Sequence, residues 1–217
     1  MSDYSMWIEK HKPSTLDECI LDAFPEYVKR QMLHMSKQAS IPNVLLYGIA
    51  GTGKSTIARI LCDESKYDVR LLNGSMMTKS DIPALEKFVK ANNLFGSRRV
   101  VFVDEADGIS TPAQLALRSL IEPTHNVSWF FTCNFRKKLI EPITSRFMQI
   151  ECTQPPQSER DKHINAIVRR CQQILNSETI TDVGGEELHA LVSAKYPDIR
   201  ATINELQMRY SFLAKAA

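Results

Sequence analysis

The chain has 217 residues, 43% hydrophobic and 24% charged, enough for a sizeable core and too balanced for a disordered or membrane-embedded protein. A formal net charge of +2 announces no nucleic-acid partner, although a local basic stripe fits within so balanced a total. Five cysteines, Cys19, Cys62, Cys133, Cys152 and Cys171, are odd in number and form no CxxC pair, which argues against a zinc site or disulfide framework and fits a reducing compartment. The chain opens on a polar stretch without a signal-type apolar segment, and its longest apolar runs are about strand length, so no membrane partner and a cytoplasmic location are expected.

Short apolar runs then alternate with helical patterns, the mark of βα units around a parallel sheet. The first strand is predicted over 43–47 and leads into Gly48-Ile49-Ala50-Gly51-Thr52-Gly53-Lys54-Ser55, which has the spacing of a phosphate-binding P-loop, with a helix predicted over 54–64 behind it. Glycines let backbone N–H groups turn toward phosphate oxygens, and the helix start favours negative charge. Lys54 is expected at the β- and γ-phosphates of ATP and Ser55 at Mg²⁺. Gly48, Gly51, Thr52, Gly53 and Thr56 complete the expected loop contacts.

A second strand is predicted over 69–73 and a helix over 81–92. The third strand, 99–104, runs into Asp104-Glu105-Ala106-Asp107. Carboxylates at the carboxyl end of a buried parallel strand stand where open α/β sheets bind ligands. Asp104 is expected to orient the metal through water, and Glu105 to polarise the attacking water of a hydrolysis. A helix over 111–122, a strand over 127–132, a short helix near Leu139 and a strand over 147–151 follow. After Cys152 the texture changes: Gln154-Pro155-Pro156 punctuates, and three helical patterns follow with breaks at Gly184-Gly185 and Tyr196-Pro197. The expected fold is an α/β P-loop nucleotide-binding domain with a five-stranded parallel sheet, residues 1–153, and a small all-helical domain, residues 154–217.

Several segments carry a more specific resemblance. Trp7-Ile8-Glu9-Lys10-His11-Lys12-Pro13-Ser14-Thr15-Leu16 is similar to a W-x-E-K-Y-R-P-x-T-L signature, with His11 in place of Tyr and Lys12 in place of Arg. Thr111-Pro112-Ala113-Gln114-Leu115-Ala116-Leu117-Arg118 resembles a T-x-x-A-Q-x-A-L-R helix. Phe130-Phe131-Thr132-Cys133-Asn134, Ser145-Arg146-Phe147 and Pro197-Asp198-Ile199-Arg200 resemble, in turn, a sensor 1 strand, a Ser-Arg-Cys motif with Phe for Cys, and a sensor 2 helix. Together they resemble the AAA+ clamp-loader ATPases, closest over 13–21 and 196–200 to T-even-type phage members and also similar to replication factor C small subunits.

That resemblance implies that Ile8, Glu9, Lys10, His11 and Ile20 lie at the adenine and ribose, that Asn134 stands near the γ-phosphate, and that Arg200 reaches the phosphates from the lid. Arg146 would act in trans on a neighbouring subunit's nucleotide. It also implies a sliding clamp, primer-template DNA held by its phosphate backbone, and other loader subunits as partners, in the cytoplasm of a bacterial host if the chain is phage-encoded. Ser75, Thr78, Lys79, Ser80, Ser110, Thr111 and Arg118 are candidate DNA contacts, and equally plain helix caps and solvated charges. Asn73 would restrain Glu105 until DNA binds. Family members continue into a third, helical collar domain, and nothing follows Ala217, so a stable pentamer and fast isolated turnover are not expected.

The expected function is therefore an ATP-hydrolysing clamp-loader subunit for DNA replication. Another AAA+ DNA-processing ATPase, such as a helicase loader or Holliday-junction motor, shares every phosphate-site residue and differs in the amino-terminal signature and Ser145-Arg146. A nucleotide-binding structural loader subunit would not need Lys54, Glu105 and Arg146 together. A small-molecule P-loop kinase would want an acceptor site that the sequence does not offer.

Overall fold

The computed structural model describes residues 5–37, 41–64, 68–91, 99–121 and 127–213. In chain order the elements are α1 (Trp7–Lys10), α2 (Glu26–Lys37), β1 (Val44–Gly48), α3 (Lys54–Glu64), β2 (Asp68–Asn73), α4 (Ile82–Lys90), β3 (Arg99–Asp104), α5 (Thr111–Ile121), β4 (Val127–Cys133), α6 (Glu141–Thr144), β5 (Met148–Cys152), α7 (Arg160–Ser177), α8 (Gly185–Lys195) and α9 (Ile199–Tyr210). All five expected strands form, each within a residue or so of its predicted bounds. The helices expected to reach Asn92 and Glu122 are described to Lys90 and Ile121, and those two residues lie outside the described stretches. Helices α1 and α2 lie where the sequence reading placed none.

The chain forms two compact units. The first, Tyr27–Gly48 with Lys54–Cys152, holds a parallel sheet in the order β2-β3-β4-β1-β5. Strands β3 and β4 are buried along almost their whole length because Val100, Val101, Phe102, Val103, Trp129, Phe130 and Phe131 are apolar on both faces. On one face Leu45, Val101, Val103, Trp129 and Phe131 join Leu85 and Val89 of α4 and Ala113, Leu117 and Ile121 of α5 in one core. Helix α3 packs on β3 and β4. Register pairs Asn73 with Asp104, Tyr47 with Cys133 and Gly48 with Cys152, so the strands' carboxyl ends finish together, the place where such sheets bind ligands.

The second unit comprises Met1–Glu26, Ile49–Gly53 and Thr153–Ala217. Its core gathers Ile164, Ile167, Cys171, Ile174 and Leu175 of α7, Leu188, Leu191 and Val192 of α8, and Ile203, Leu206 and Tyr210 of α9, with Trp7 of α1 among them. The Trp7 N–H donates to Gln207 Oε1 at 2.9 Å. Helix α8 begins at Gly185 and α9 just after Tyr196-Pro197, where the glycine pair and the proline break the pattern. Among the described residues no helix is long and apolar enough to cross a membrane.

Candidate functional site

In the sheet unit the site is assembled from strand ends. Gly48 closes β1 with φ +130°, and a Cβ there would stand 2.4 Å from the Cys152 carbonyl oxygen. Only glycine allows β1 and β5 to approach so closely at this turn. Lys54 opens α3 and is 7% exposed. Its amine donates to the Gly48 carbonyl at 3.0 Å and to Asn134 Oδ1 at 2.9 Å, so the lysine and the residue following β4 are brought together. Burial pushes the Lys54 amine below the ordinary lysine range, against the opposing pull of Cys152, Cys133, Asp107 and Asp104.

Ser55 donates its hydroxyl to Asp104 Oδ1 at 2.7 Å. The same oxygen accepts the Thr132 hydroxyl, and Thr132 Oγ1 in turn accepts the Glu105 N–H at 3.4 Å. Thr132 thus aligns the ends of β3 and β4; the sequence pattern does not single it out as a site residue, because the pairing of β3 with β4 is what sets it beside Asp104. Thr56 is half-buried on α3.

Glu105 follows with φ 54° and ψ 43°, a left-handed conformation that costs a non-glycine residue about 1–2 kcal/mol. The chain turns sharply there, and the carboxylate points at the turn after β2. Ser75 Oγ donates to Glu105 Oε2 at 2.9 Å and Asn73 Nδ2 at 3.4 Å. Asn73 Oδ1 also accepts the Ser75 N–H at 2.8 Å, so both donors belong to one turn. Gly74 and Gly108 let this turn press against the one after Glu105: a Cβ on Gly74 would meet the Glu105 carbonyl at 2.4 Å, and one on Gly108 would meet Ser75 Oγ at 2.4 Å.

Two further residues brace this end of the sheet. Asp107 Oδ2 accepts the Phe135 N–H at 3.0 Å, fixing the segment that carries Asn134. Buried Gln114 of α5 donates to the carbonyls of Ile109 at 2.9 Å and Lys138 at 3.0 Å, and accepts the Ile140 N–H at 2.9 Å. Arg146, after α6, is half-buried and donates to the Pro142 carbonyl of that helix.

The helical unit holds the remaining expected site residues. Ile8 and Ile20 are partly buried against its core. Lys10 Nζ lies 2.8 Å from Glu178 Oε1, and His11 Nε2 lies 2.5 Å from the same oxygen. Burial raises the Glu178 carboxyl, but its bonds to Lys10 and His11 leave it below the ordinary range. Glu9 is exposed, with Lys12 at 3.7 Å. In the loop, Gly51 and Gly53 have φ of +75° and +85°, and Thr52 Oγ1 donates to the Ile49 carbonyl at 2.9 Å. Arg200 is exposed on the first turn of α9.

The donors fit a magnesium nucleotide. Glycines in left-handed conformations and an amine held among neutral acceptors suit phosphate oxygens. The Ser55 hydroxyl and Asp104 carboxylate are a hard-oxygen pair of the kind Mg²⁺ uses while keeping several waters. Among the described residues no group of three or more His, Cys, Asp or Glu could cage a metal.

A P-loop after β1, a polar residue just after the adjacent strand β4 and acids ending β3 on its far side define a nucleotide-binding AAA+ domain, and the comparisons agree. Residues 44–154 match the ATPase family associated with various cellular activities (AAA), and the chain belongs to that family. Residues 159–214 match the sliding-clamp-loader large subunit AAA+ ATPase lid domain. Among curated relatives, the chain is 33% identical over 203 residues to the sliding-clamp-loader large subunit of Enterobacteria phage T4, covering 91% of this chain and 62% of that one. It is 31% identical over 214 residues to the replication factor C small subunit of Methanoculleus marisnigri, covering 94% and 63%. The chain thus spans somewhat over three-fifths of the length of the curated relatives it matches. Among solved structures, the Thermotoga maritima RuvB Holliday junction branch migration motor is similar in fold, with a TM-score of 0.71 at 21% identity, covering 94% of this chain and 67% of that one.

Proposed function

We propose that this chain is an ATP-binding and ATP-hydrolysing subunit of a DNA polymerase sliding-clamp loader, working in the cytoplasm. The observation that carries the chemistry is the convergence of Lys54, Ser55, Asp104 and Asn134 at one end of the sheet, with Glu105 beside them. The match of 159–214 to a clamp-loader lid domain favours loading of a clamp over other AAA+ tasks. Residues 1–153 would form the nucleotide-binding domain and 154–217 the lid.

In this reading Lys54 exchanges the Gly48 and Asn134 oxygens for β- and γ-phosphate oxygens, which offset its burial with full negative charge. Ser55 and Asp104 would hold magnesium, which when bound draws charge from the phosphate oxygens. Glu105 orients and polarises the attacking water, Asn134 donates at the γ-phosphate, and Gly48, Gly51, Thr52, Gly53 and Thr56 line the phosphates. Ile8 and Ile20 offer apolar surface to the base, with Glu9, Lys10 and His11 beside it. Arg200 is the lid's contribution to the phosphates. Arg146 supplies positive charge to a neighbouring subunit's nucleotide, as a guanidinium suits. Different affinities for clamp and DNA in the ATP and ADP states would drive loading and release.

A clamp-binding assay with and without ATP tests the reading. The expected result is ATP-dependent capture of a sliding clamp, retained in Glu105→Gln and lost in Lys54→Met. Binding of the clamp that ignores ATP would contradict it.

A further inference from the structure

The loop over 49–53 meets the first turn of α9 at a residue that the P-loop pattern leaves variable. That pattern demands Gly48 and Gly53, whereas Gly51 stands between them. Its φ of +75° favours glycine. A second constraint is independent of the backbone angle: a Cβ on Gly51 would lie 1.9 Å from Asp198 Oδ1 and 2.3 Å from its Cγ. The Gly51 carbonyl also accepts the Ile199 N–H at 3.1 Å. Loop apex and helix start are therefore joined by a hydrogen bond in a space that admits no side chain.

A carboxylate beside a loop that receives phosphates works against anion binding unless its charge is engaged elsewhere. Here it is engaged. Asp198 is the N-cap of α9, with Oδ1 accepting the Ala201 N–H at 2.8 Å. Its carbonyl accepts the Thr202 hydroxyl at 2.8 Å and the Thr202 N–H at 3.0 Å. The negative charge thus faces the positive end of the helix and its free N–H groups. Tyr196 and Ile199, on either side of Asp198, pack against the core of the helical unit, so the first turn of α9 cannot slide past the loop without loosening that packing.

We infer that Gly51 and Asp198 are positioning residues that register α9 on the phosphate loop and thereby hold Arg200, two residues beyond the cap, at a fixed offset from it. The inference rests on the ATP reading above and deepens it: the space above Gly51 is reserved for the lid, so the loop serves two partners, phosphates and α9. Motion of either is passed to the other through one hydrogen bond and one tight contact.

The test is a double-mutant cycle on the whole chain, read by affinity for a fluorescent N-methylanthraniloyl ATP analogue and by hydrogen exchange at the Ile199 amide. Asp198→Gly leaves a residue that still caps a helix at little cost and removes the whole side chain above Gly51, so alone it should change both readouts by less than about threefold. Gly51→Ala should weaken binding about tenfold and speed Ile199 exchange by a similar factor. The double variant should recover a large part of both losses, because the added methyl then has room. Gly51→Ala combined with Arg200→Ala should lose less than the product of the two separate losses, as expected if one acts through the other. Equal Gly51→Ala losses with and without Asp198, unchanged Ile199 exchange, or full additivity with Arg200→Ala would each overturn the inference. An unsubstituted chain that binds no analogue would instead sink the ATP reading, and Ile199 exchange across the same variants would still decide whether the contact holds the helix.

Discussion

Lys54 sits 7% exposed between the Gly48 carbonyl and the Asn134 side chain, and burial lowers its pKa. Phosphates favour the charged amine, so the bound state must have the higher pKa. The linkage therefore has a definite sign. ATP affinity should be full below the lowered pKa of the free protein and decline as pH rises through it, beginning below the ordinary lysine range. An isothermal titration series in pH checks this, and Lys54→Met should abolish the decline while weakening binding by about 10- to 100-fold. Thr132 gives a second test at this scale. Its hydroxyl anchors Asp104 and receives the Glu105 N–H, so Thr132→Val should raise the Mg²⁺ needed for half-maximal ATP binding by about tenfold. An unchanged magnesium requirement would remove Thr132 from that role. The acids themselves were legible from sequence because the apolar run 100–103 ends on them. Thr132 was not, because only the pairing of Val103 with Phe131 brings it beside Asp104.

At the scale of elements, the turn after β2 and the turn after β3 act as one piece. Ser75 and Asn73 hold the Glu105 carboxylate, and the two glycines let the turns touch. If this arrangement restrains Glu105 until DNA arrives, Ser75→Ala and Asn73→Ala should each raise ATP turnover in the absence of DNA and lower the stimulation that DNA gives. Turnover equally DNA-dependent in both variants would contradict it. Gln114 braces α5 against two loops with three hydrogen bonds, all internal. Gln114→Leu strands the Ile109 and Lys138 carbonyls and the Ile140 N–H, and should cost roughly 2–4 kcal/mol in urea unfolding. The sequence pattern located α5 by its apolar spacing but missed α2, whose buried Val28, Met32 and Met35 recur at helical intervals among charged residues. A stripe that narrow is weak against a polar background, and its helix is held by burial on the sheet unit more than by propensity.

For the whole molecule, the parallel sheet and the helical unit were legible because strands buried on both faces read as unbroken apolar runs, and because Gln154-Pro155-Pro156 marks a change of texture. What could not be read was the company the amino-terminal segment keeps. Trp7 contributes to the core of the helical unit, and Lys10 and His11 share Glu178, contacts more than 150 residues apart in sequence that no local pattern encodes. The departure from Tyr to His at position 11 keeps a polar group able to reach that carboxylate. ATP turnover linked to clamp loading, as proposed for this chain, is tested by the ATPase rate of the chain alone, with loader partner subunits, and with partners, sliding clamp and primer-template DNA together. The expected result is slow turnover alone, a rise with partners, and the largest rise with clamp and DNA present, all abolished in Glu105→Gln. A rate indifferent to partners, clamp and DNA, or unchanged in Glu105→Gln, would contradict it.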